Sequence, residues 1–466
     1  MKKLILLSIC LIQFVIVSAQ YTKLIDFEAT ANGKNPYGSL ISDGTFLYGM
    51  TNIGGANNLG TIFKIMPNGT GFIKLLDFAN VSNGSRPEGD LLYDGTFLYG
   101  MTTYGGTNNS GTIFKIMTDG TGFEKLHDFL GGTDGNQPHG SLVYDGTSLY
   151  GMTILGGTSG VGTLFKIMPN GTGYSKLIDF SGASNGMLPY GSLLYNGYFL
   201  YGMTYAGGTN DLGVIFKIMP DGNGFAKIFD FTVTLNGSRP YYTSLISDGT
   251  FLYGMTREGG TSNGGTIFKI LTDGTGFVKL YDFPISSISN PFGSLIYDGT
   301  FLYGMTSGLG GGGVTQEGSI FKIMTNGTGF TTLQTLLGGS DGRYPLGSLI
   351  YIGTSIYGMT FNGGTNASGI LFKYSGLPLR VADFNNNTSK FIAYPNPSSG
   401  IINVSSTNTI KGVIAYNILG KEVYNYNFSE LNNEVIVDLS FLETGMYFLK
   451  AISENNNFQT IKVIKK

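Results

Sequence analysis

The sequence predicts an all-β protein: a seven-bladed β-propeller of four-stranded repeats, followed by a small β-sandwich. The first observation behind this prediction is a segment, Asp43–Thr51, that recurs along most of the chain. The second is that every repeat divides into short strand-like runs separated by turn residues. The third is that the last repeat lacks its fourth run, while a matching run stands alone before the first repeat.

The repeat is marked by the methionine near the end of this segment. Successive methionines lie 51, 51, 51, 52, 50 and 54 residues apart, which is a near-constant period. A period of this length indicates a repeat architecture, and it has to be recognised before any single motif is interpreted. The seven methionines are Met50, Met101, Met152, Met203, Met255, Met305 and Met359.

Each unit contains four strand-like runs joined by turn residues. In the first unit, Asp43-Gly44 is a strong hairpin signal and Gly54–Gly60 is a glycine-rich loop. Gly49, inside the second run, predicts close approach of a neighbouring backbone. Four antiparallel strands in one repeat are typical of a propeller blade. The predicted strands of this unit are Gly38–Ile41, Thr45–Thr51, Thr61–Met66 and Phe72–Phe78.

The two ends of the repeat region predict a closed ring. The last unit stops after its third strand, Ile370–Tyr374, and the missing fourth strand matches Tyr21–Phe27 at the other end. Pairing the two would complete the seventh blade and cover a sheet edge that would otherwise promote aggregation. Residues 20–376 are therefore predicted to form one propeller, closed by strand 21–27.

These repeats resemble the GloVer tandem-repeat family, whose units carry the same DGT-x-LYGMT-x-x-GG and G-x-IFKI features. The resemblance covers about residues 21–376 and involves whole units rather than one short motif. It implies a propeller-like secreted protein and no particular chemistry. A looser likeness to kelch propellers is based on the length of the unit and the Gly-Gly pair.

Residues 1–19 are predicted to be a secretory signal peptide. Two lysines precede the apolar run Leu4–Val17, and small residues predict cleavage between Ala19 and Gln20. The run is shorter than the roughly 20 residues needed to span a bilayer, and no later segment is apolar for that length. Because the only cysteine, Cys10, lies in this segment, the mature chain would have no disulfide and no thiolate metal site.

The overall composition disfavours two classes of partner. The chain of 466 residues is 41% hydrophobic and only 12% charged, with a formal net charge of −2. Such a balance provides no electrostatic attraction to nucleic acid or to an anionic membrane surface. We therefore predict no nucleic-acid partner and no transmembrane segment.

The C-terminal region is predicted to be a separate domain after a polar linker, residues 377–390. Three runs, residues 393–404, 416–423 and 438–450, closely resemble the type A C-terminal sorting domain of the type IX secretion system. The resemblance covers about residues 391–466 and implies a small β-sandwich that directs passage across a bacterial outer membrane. It also implies the secretion machinery and a sortase-like peptidase as partners. A carbohydrate-binding or adhesive sandwich is the alternative. The motif residues are Pro395, Asn396, Pro397, Gly400, Gly420, Gly445 and Tyr447.

Charged side chains recur at fixed places in the blades. The turn residue Asp43 is Asn196 in one unit and Ile352 in another, which favours turn chemistry over metal binding. A fourth-strand Asp such as Asp77 and a third-strand Lys such as Lys64 are predicted to pair across the blade, each exposed pair contributing roughly 0–1 kcal/mol. Structural calcium held by the fourth-strand Asp residues is an alternative, although no dense run of oxygen ligands supports it.

The sequence carries no recognisable catalytic or cofactor motif. Its two histidines, His127 and His139, are too few for a histidine-rich metal site, and His127 is predicted to be an ordinary strand residue. A G-x-S-x-G elbow and a recognisable triad are missing. The Gly-Gly loops lead into strands rather than helices, so they are not phosphate cradles. Apart from the calcium alternative, we predict no cofactor.

The most informative variation between units is the residue after the proline that precedes each first strand. If the first strand is innermost, these side chains form a ring at the mouth of the central channel. Aromatic and polar groups around a concavity are typical of a small-molecule or glycan site, whereas neutral drift is the alternative. This mouth ring is Tyr37, Glu88, His139, Tyr190, Tyr241, Phe292 and Leu346. The loops expected on the same face, which we call the top face, carry Tyr104, Tyr205, Arg257 and Glu258.

We therefore predict a secreted or cell-surface module that binds a glycan or another extracellular polymer. The first alternative is a polysaccharide lyase or hydrolase acting on the top face. Hydrolysis would need two carboxylates about 5–10 Å apart, for which Glu88 and Glu258 are the candidates. The second alternative is a structural or adhesive surface protein.

Overall fold

The structure, a computed structural model, describes residues 20–285, 289–308, 317–377, 391–417, 421–454 and 458–466. The chain divides into two compact units between Leu379 and Arg380. The predicted signal peptide, most of the predicted linker, and Gly420 lie outside the described residues.

The first unit consists of seven four-stranded antiparallel sheets, so the predicted seven-bladed propeller is confirmed. The first strand is β1 (Gln20–Asp26). Blades 1 to 3 contain β2 (Ile41–Ser42), β3 (Leu47–Thr51), β4 (Thr61–Ile65) and β5 (Ile73–Asp77); β6 (Leu92–Tyr93), β7 (Phe97–Thr102), β8 (Thr112–Met117) and β9 (Glu124–Asp128); and β10 (Asn136–Tyr144), β11 (Leu149–Leu155), β12 (Thr163–Ile167) and β13 (Ser175–Asp179).

The remaining blades repeat this arrangement, with short helical turns in some of the links between blades. Blades 4 to 6 contain β14 (Leu194–Tyr195), β15 (Leu200–Thr204), β16 (Val214–Ile218) and β17 (Ala226–Asp230); β18 (Ile246–Ser247), β19 (Phe251–Thr256), β20 (Thr266–Leu271) and β21 (Val278–Asp282); and β22 (Pro291–Tyr297), β23 (Phe301–Thr306), β24 (Ser319–Met324) and β25 (Thr331–Thr335). Blade 7 contains β26 (Ile350–Ile352), β27 (Ser355–Thr360) and β28 (Ile370–Ser375). The links include α1 (Ala29–Asn32), α2 (Val233–Asn236) and the 3₁₀ turns Gly132–Asp134 and Gly339–Asp341.

Strand β1 closes the ring, as the two ends of the repeat region predict. It pairs antiparallel with β28, with Tyr21 opposite Tyr374 and Asp26 opposite Ile370. The last blade therefore takes its outer strand from the start of the chain. The outer edge of β28 is paired instead of being left as an open template for aggregation.

The hydrophobic core lies between neighbouring blades. Tyr48 and Met50 of the first blade pack with Leu98 and Phe114 of the second, and every residue of β3 is buried. Burial of both faces explains why the second strands do not alternate between apolar and polar residues. The expected backbone approach at Gly49 is wrong: an added Cβ would lie 2.6 Å from Cζ of Phe63, so an aromatic ring occupies this space.

The recurring turn aspartates stabilise the turns through hydrogen bonds, as predicted. Oδ1 of Asp43 accepts hydrogen bonds from the backbone N–H groups of Thr45 and Phe46, and Oδ2 accepts one from the hydroxyl of Tyr48 at 2.7 Å. Burial opposes ionisation, but these hydrogen bonds hold the pKa of Asp43 below its usual value. Asn196, the natural replacement, still accepts both backbone bonds in its own blade.

The predicted pairing of third-strand lysines with fourth-strand aspartates is wrong. Asp77 pairs instead with Lys74 of its own strand at 2.9 Å, and Oδ1 of Asp77 accepts the backbone N–H of Ala56 in the Gly-Gly loop. Lys64 reaches the next blade and donates to the carbonyl of Thr118. A register shift between β4 and β5 places Lys74 opposite Phe63. The aspartates therefore anchor the Gly-Gly loops.

A closed ring of seven hydrogen bonds surrounds the central channel. In each blade, one residue of the innermost segment donates its backbone N–H to the side chain of the equivalent residue in the next blade, at 2.5–3.0 Å. The last bond, from Ser348 to Ser39, joins the seventh blade to the first. The members are Ser39, Asp90, Ser141, Ser192, Ser244, Ser294 and Ser348.

A glycine beside this ring permits the close approach of neighbouring blades. An added Cβ at Gly89 would lie 1.6 Å from the carbonyl oxygen of Gly140 in the next blade. No side chain fits at that distance, so the backbones of the first strands touch around the channel. The innermost strands therefore form a rigid wall below the channel mouth.

The second unit is a small antiparallel β structure with its own core. Its strands are β29 (Phe391–Tyr394), β30 (Ile401–Asn417), β31 (Glu422–Asp438), β32 (Gly445–Ser453) and β33 (Phe458–Lys465). The long strands β30 and β31 are broken by register shifts between Ser405 and Gly412, and both halves contribute to one core. The side chains of Val404, Val413 and Leu449 are fully buried there. The unit is thus the small sandwich-like domain that the sequence predicts.

Motif residues tie the beginning of this unit to its end. Oδ1 of Asn396 accepts the backbone N–H of Ile464 at 2.9 Å, and the hydroxyl of Tyr447 donates to the carbonyl of Glu443. The carbonyl of Gly400 accepts the N–H of Leu439. The side-chain contacts give Asn396 and Tyr447 a structural role.

Asp90 offers a direct test of the hydrogen-bonded ring, because serine occupies this position in the other six blades. Burial raises the pKa of the Asp90 carboxyl, so ionisation destabilises the folded state. We expect Asp90→Ser to increase the free energy of unfolding near neutral pH. The gain should shrink as the pH falls toward the usual value of 3.8, where the carboxyl takes up its proton.

Urea unfolding of both proteins across this pH range measures the effect. Asp119→Ser, at an exposed turn, is the matched control and should show no such gain. A gain for Asp90→Ser that grows as the pH falls would contradict the prediction.

Candidate functional site

The mouth ring is positioned by an irregular backbone that every blade shares. The residue before each proline has a positive φ, for example 53° at Arg86, and its N–H donates to the Gly-Gly loop of the preceding blade. For Arg86 the acceptor is the carbonyl of Leu59 at 2.8 Å. Proline then directs the chain along the channel wall. The scaffold thus determines where each ring residue lies, and its side chain is left free to vary.

The structure places the first strands innermost, as the sequence interpretation assumes. Four ring residues, Tyr37, Glu88, Tyr190 and Leu346, line the channel together with the hydrogen-bonded ring below. The empty space there is about 310 Å³, including the part open to solvent. The enclosed part of this space is only about 30 Å³. Small-molecule pockets measure about 300–1,000 Å³, so a polymer would have to lie across the mouth rather than inside the channel.

Tyr242 is a central residue of the site that the sequence interpretation missed. The fifth blade carries one extra residue between Pro240 and Leu245, which is the source of the 52-residue spacing. Tyr242 has a φ of 55°, and its side chain lines the channel next to Tyr190 and Tyr37. The irregular spacing was the signal that could have identified it.

Tyr242 joins two ring residues from other blades in a polar triangle. Its hydroxyl donates to Oε2 of Glu88 at 2.8 Å and lies 2.9 Å from Nδ1 of His139. The same Oε2 is 2.9 Å from Nδ1 of His139. Burial alone would raise the pKa of Glu88, but attraction to His139 and hydrogen bonds from both partners and Asn52 hold it below its usual value.

The triangle also affects the tyrosine. Burial, and then the charge of Glu88, raise the pKa of Tyr242 well above its usual range. The hydroxyl therefore stays protonated and donates to the carboxylate. The contacts among Tyr242, Glu88 and His139 therefore stabilise the mouth of the channel.

Aromatic side chains surround Tyr242 on the top face. Tyr190 contacts Tyr241 at 4.6 Å between ring centroids and Tyr205 at 5.6 Å, and Tyr242 stacks on Phe292 at 5.4 Å. We call this group the aromatic cluster; its members are Tyr37, Tyr190, Tyr205, Tyr241, Tyr242, Phe292 and Phe361. Burial among neighbouring tyrosines raises the pKa of Tyr190 to about 12, so its hydroxyl is neutral. His139 and Phe292 are each only 5% exposed.

The four predicted loop residues fall into two groups. Tyr205 and Arg257 join the cluster, with the Arg257 guanidinium 4.9 Å from the ring centroid of Tyr241. Glu258 instead pairs with Arg239 at 3.6 Å, and Tyr104 lies against Arg86. The structure therefore brings together most of the predicted aromatic residues, whereas Glu258 forms an ion pair with Arg239 instead.

No metal centre is evident in the described part of the chain. No group of three or more His, Cys, Asp or Glu side chains there could hold an ion. His127 stacks on Tyr174 with ring centroids 3.9 Å apart and lies 3.2 Å from Oδ2 of Asp134, which gives it a packing role. None of the described helices is both long and apolar enough to cross a membrane.

Solved structures with a similar fold are only distantly related in sequence. Oligogalacturonate lyase in complex with manganese is 13% identical with a TM-score of 0.52, covering 77% of this chain and 93% of the lyase. An oligogalacturonate lyase from Vibrio parahaemolyticus is 10% identical with a TM-score of 0.50, covering 77% and 94%. PorZ, a surface component of the type IX secretion system of Porphyromonas gingivalis, is 12% identical with a TM-score of 0.46, covering 95% and 60%.

Two family models match the sequence, and no curated protein does. The secretion system C-terminal sorting domain matches residues 392–466, which indicates export across the outer membrane to the cell surface or the extracellular space. The Gloeobacter/Verrucomicrobia repeat matches residues 10–154 and 132–313, more than half of the chain. Both predicted resemblances are confirmed, and the chain belongs to the Gloeobacter/Verrucomicrobia repeat family.

Proposed function

We propose that this protein is an exported binding module that holds a glycan or another extracellular polymer against the aromatic cluster. The observation that carries the proposal is the concentration of tyrosines at the channel mouth, where Tyr190, Tyr205 and Tyr241 remain partly exposed. Sugar rings present apolar faces that pack on aromatic rings, while tyrosine hydroxyls bind their polar edges. The small channel favours an extended ligand lying across the mouth.

The position of blade-to-blade variation also supports binding. The turn aspartates and the hydrogen-bonded ring recur almost unchanged, whereas the mouth ring has five different residue types in seven blades. A purely structural or adhesive role would not require the residues of one face to differ from blade to blade. The sorting domain would deliver this face outside the cell, and removal of that domain by a sortase-like peptidase is part of the proposal.

Both candidate catalytic carboxylates, Glu88 and Glu258, already interact with other side chains, which argues against a glycoside hydrolase. Glu88 is bound by His139 and Tyr242, and Glu258 is paired with Arg239. A general acid needs a raised pKa, whereas that of Glu88 is lowered. The likeness to oligogalacturonate lyase concerns the fold alone and adds no support for catalysis.

Glycan-array screening of the mature chain, residues 20–466, tests the proposal, with and without added calcium. Tyr190→Ala and Tyr241→Ala should each weaken binding roughly fivefold or more, because an aromatic contact of about 1 kcal/mol is lost. The control is Tyr198→Ala: Tyr198 is 65% exposed but lies in the turn before β15, at the opposite end of the blade. Binding that is equally strong in all three variants, with folding intact, would reject the aromatic cluster as the site.

Glu88→Gln distinguishes a bracing role of Glu88 from a catalytic one. Because the folded-state pKa is lowered, ionised Glu88 stabilises the fold above the usual value of 4.5, and this stabilisation is lost as the pH falls through the lowered value. We expect the variant to be about 1–3 kcal/mol less stable near neutral pH, with the difference shrinking below pH 4.5.

Urea unfolding across this pH range measures the difference. Glu124→Gln, which removes an exposed pair with Lys115, is the control and should have little effect. Unchanged stability together with loss of a measurable polysaccharide-cleaving activity would favour the enzyme alternative instead.

A further inference from the structure

The arginines of the propeller are all on the top face. The chain has five arginines, and the four within residues 20–377 each lie with the guanidinium over an aromatic ring. Lysines, in contrast, recur along the third and fourth strands of the blades. The four arginines are Arg86, Arg239, Arg257 and Arg343.

Arg257 differs from the other three because it combines partial burial at the aromatic cluster with the lack of an ion pair to any described carboxylate. Arg239 pairs with Glu258 at 3.6 Å, Arg343 pairs with Glu317 at 3.2 Å, and Arg86 is exposed. Arg257 is partly buried at the aromatic cluster and forms no ion pair with any described carboxylate. The undescribed segments within the propeller, residues 286–288 and 309–316, contain no Asp or Glu that could supply one.

The surroundings of Arg257 are suited to an anionic ligand. Its guanidinium lies 4.9 Å from the ring centroid of Tyr241 and 5.8 Å from that of Phe292, and its charge also acts on Tyr37. A partly desolvated cation without a counter-ion is unfavourable unless a ligand provides one. Glu88 forms no ion pair with Arg257, because its carboxylate is held by His139 and Tyr242.

We infer that the top face takes a carboxylated polysaccharide, with a sugar carboxylate bound by Arg257 and sugar rings packed on Tyr190 and Tyr241. A planar guanidinium can bind a carboxylate through two parallel hydrogen bonds, which gives both strength and orientation. The inference rests on the proposed glycan-binding function and specifies the class of glycan. It assigns Arg257 as the residue that separates acidic from neutral polymers.

Matched polymers and variants test this assignment in the mature full-length chain. Alginate, hyaluronan and polygalacturonate are each compared with the same polymer after chemical reduction of its carboxyl groups to alcohols. At least one acidic polymer should bind about tenfold or more tightly than its reduced form, and added salt should weaken this binding. Arg257→Gln should remove the preference, and Arg257→Lys should restore part of it.

Arg343→Gln is the matched control because it removes the same charge from the same face at a residue that is already paired. If Arg343→Gln and Arg257→Gln reduce the preference for the acidic polymer equally, the attraction is a general electrostatic one and the assignment is overturned. Equal binding of acidic and reduced polymers would overturn it as well, while leaving the proposed function intact if Tyr190→Ala still weakens binding.

Dextran sulfate and dextran complete the panel. Suppose that dextran sulfate binds in an Arg257-dependent manner and no carboxylated polymer binds. The ligand of Arg257 would then be a sulfate ester rather than a carboxylate, and the inference would be overturned. If no polysaccharide binds, both this inference and the proposed function are rejected.

Discussion

The hydrogen-bonded ring around the channel is the constraint on which the rest of the propeller depends. Each blade donates one backbone N–H to the next, and the bond from Ser348 to Ser39 returns the ring to its start. Such a ring closes only if the positions of these seven backbone segments are fixed relative to one another. The carbonyl of Gly140 approaches Gly89 so closely that even a methyl group would not fit. Strand β1 completes the same closure at the outer edge of the seventh blade.

This rigid wall separates the scaffold from the candidate site. The residue after each proline is held at the mouth by backbone contacts to the preceding blade, so its side chain is not needed for closure. Packing between blades depends on the second and third strands, whose apolar side chains are mostly buried. Variation therefore accumulates at the mouth without loss of the fold. Loops and rims carry function for the same reason in many β scaffolds.

One extra residue in the fifth blade changes the mouth more than any substitution. It turns Tyr242 toward the channel, where it meets Glu88 from the second blade and His139 from the third. Three blades are thereby joined by polar contacts across the channel mouth. The carboxylate of Glu88 is held inside this triangle, which leaves Arg257 as the charged group without an ion-pair partner at the aromatic cluster.

The sequence by itself determined the seven blades, their strands, the closing strand, the turn chemistry of Asp43 and the sorting domain, because turn residues, strand periods and repeats are local signals. Only the tertiary structure decided the partners across blades. Asp77 pairs with Lys74 rather than Lys64 because the strand register places Asp77 opposite Thr61, three positions away from Lys64. The aromatic cluster was largely predictable, since repeat alignment places its residues on one face. Tyr242 was not, because its direction depends on a positive φ and on residues more than 100 positions away in the chain.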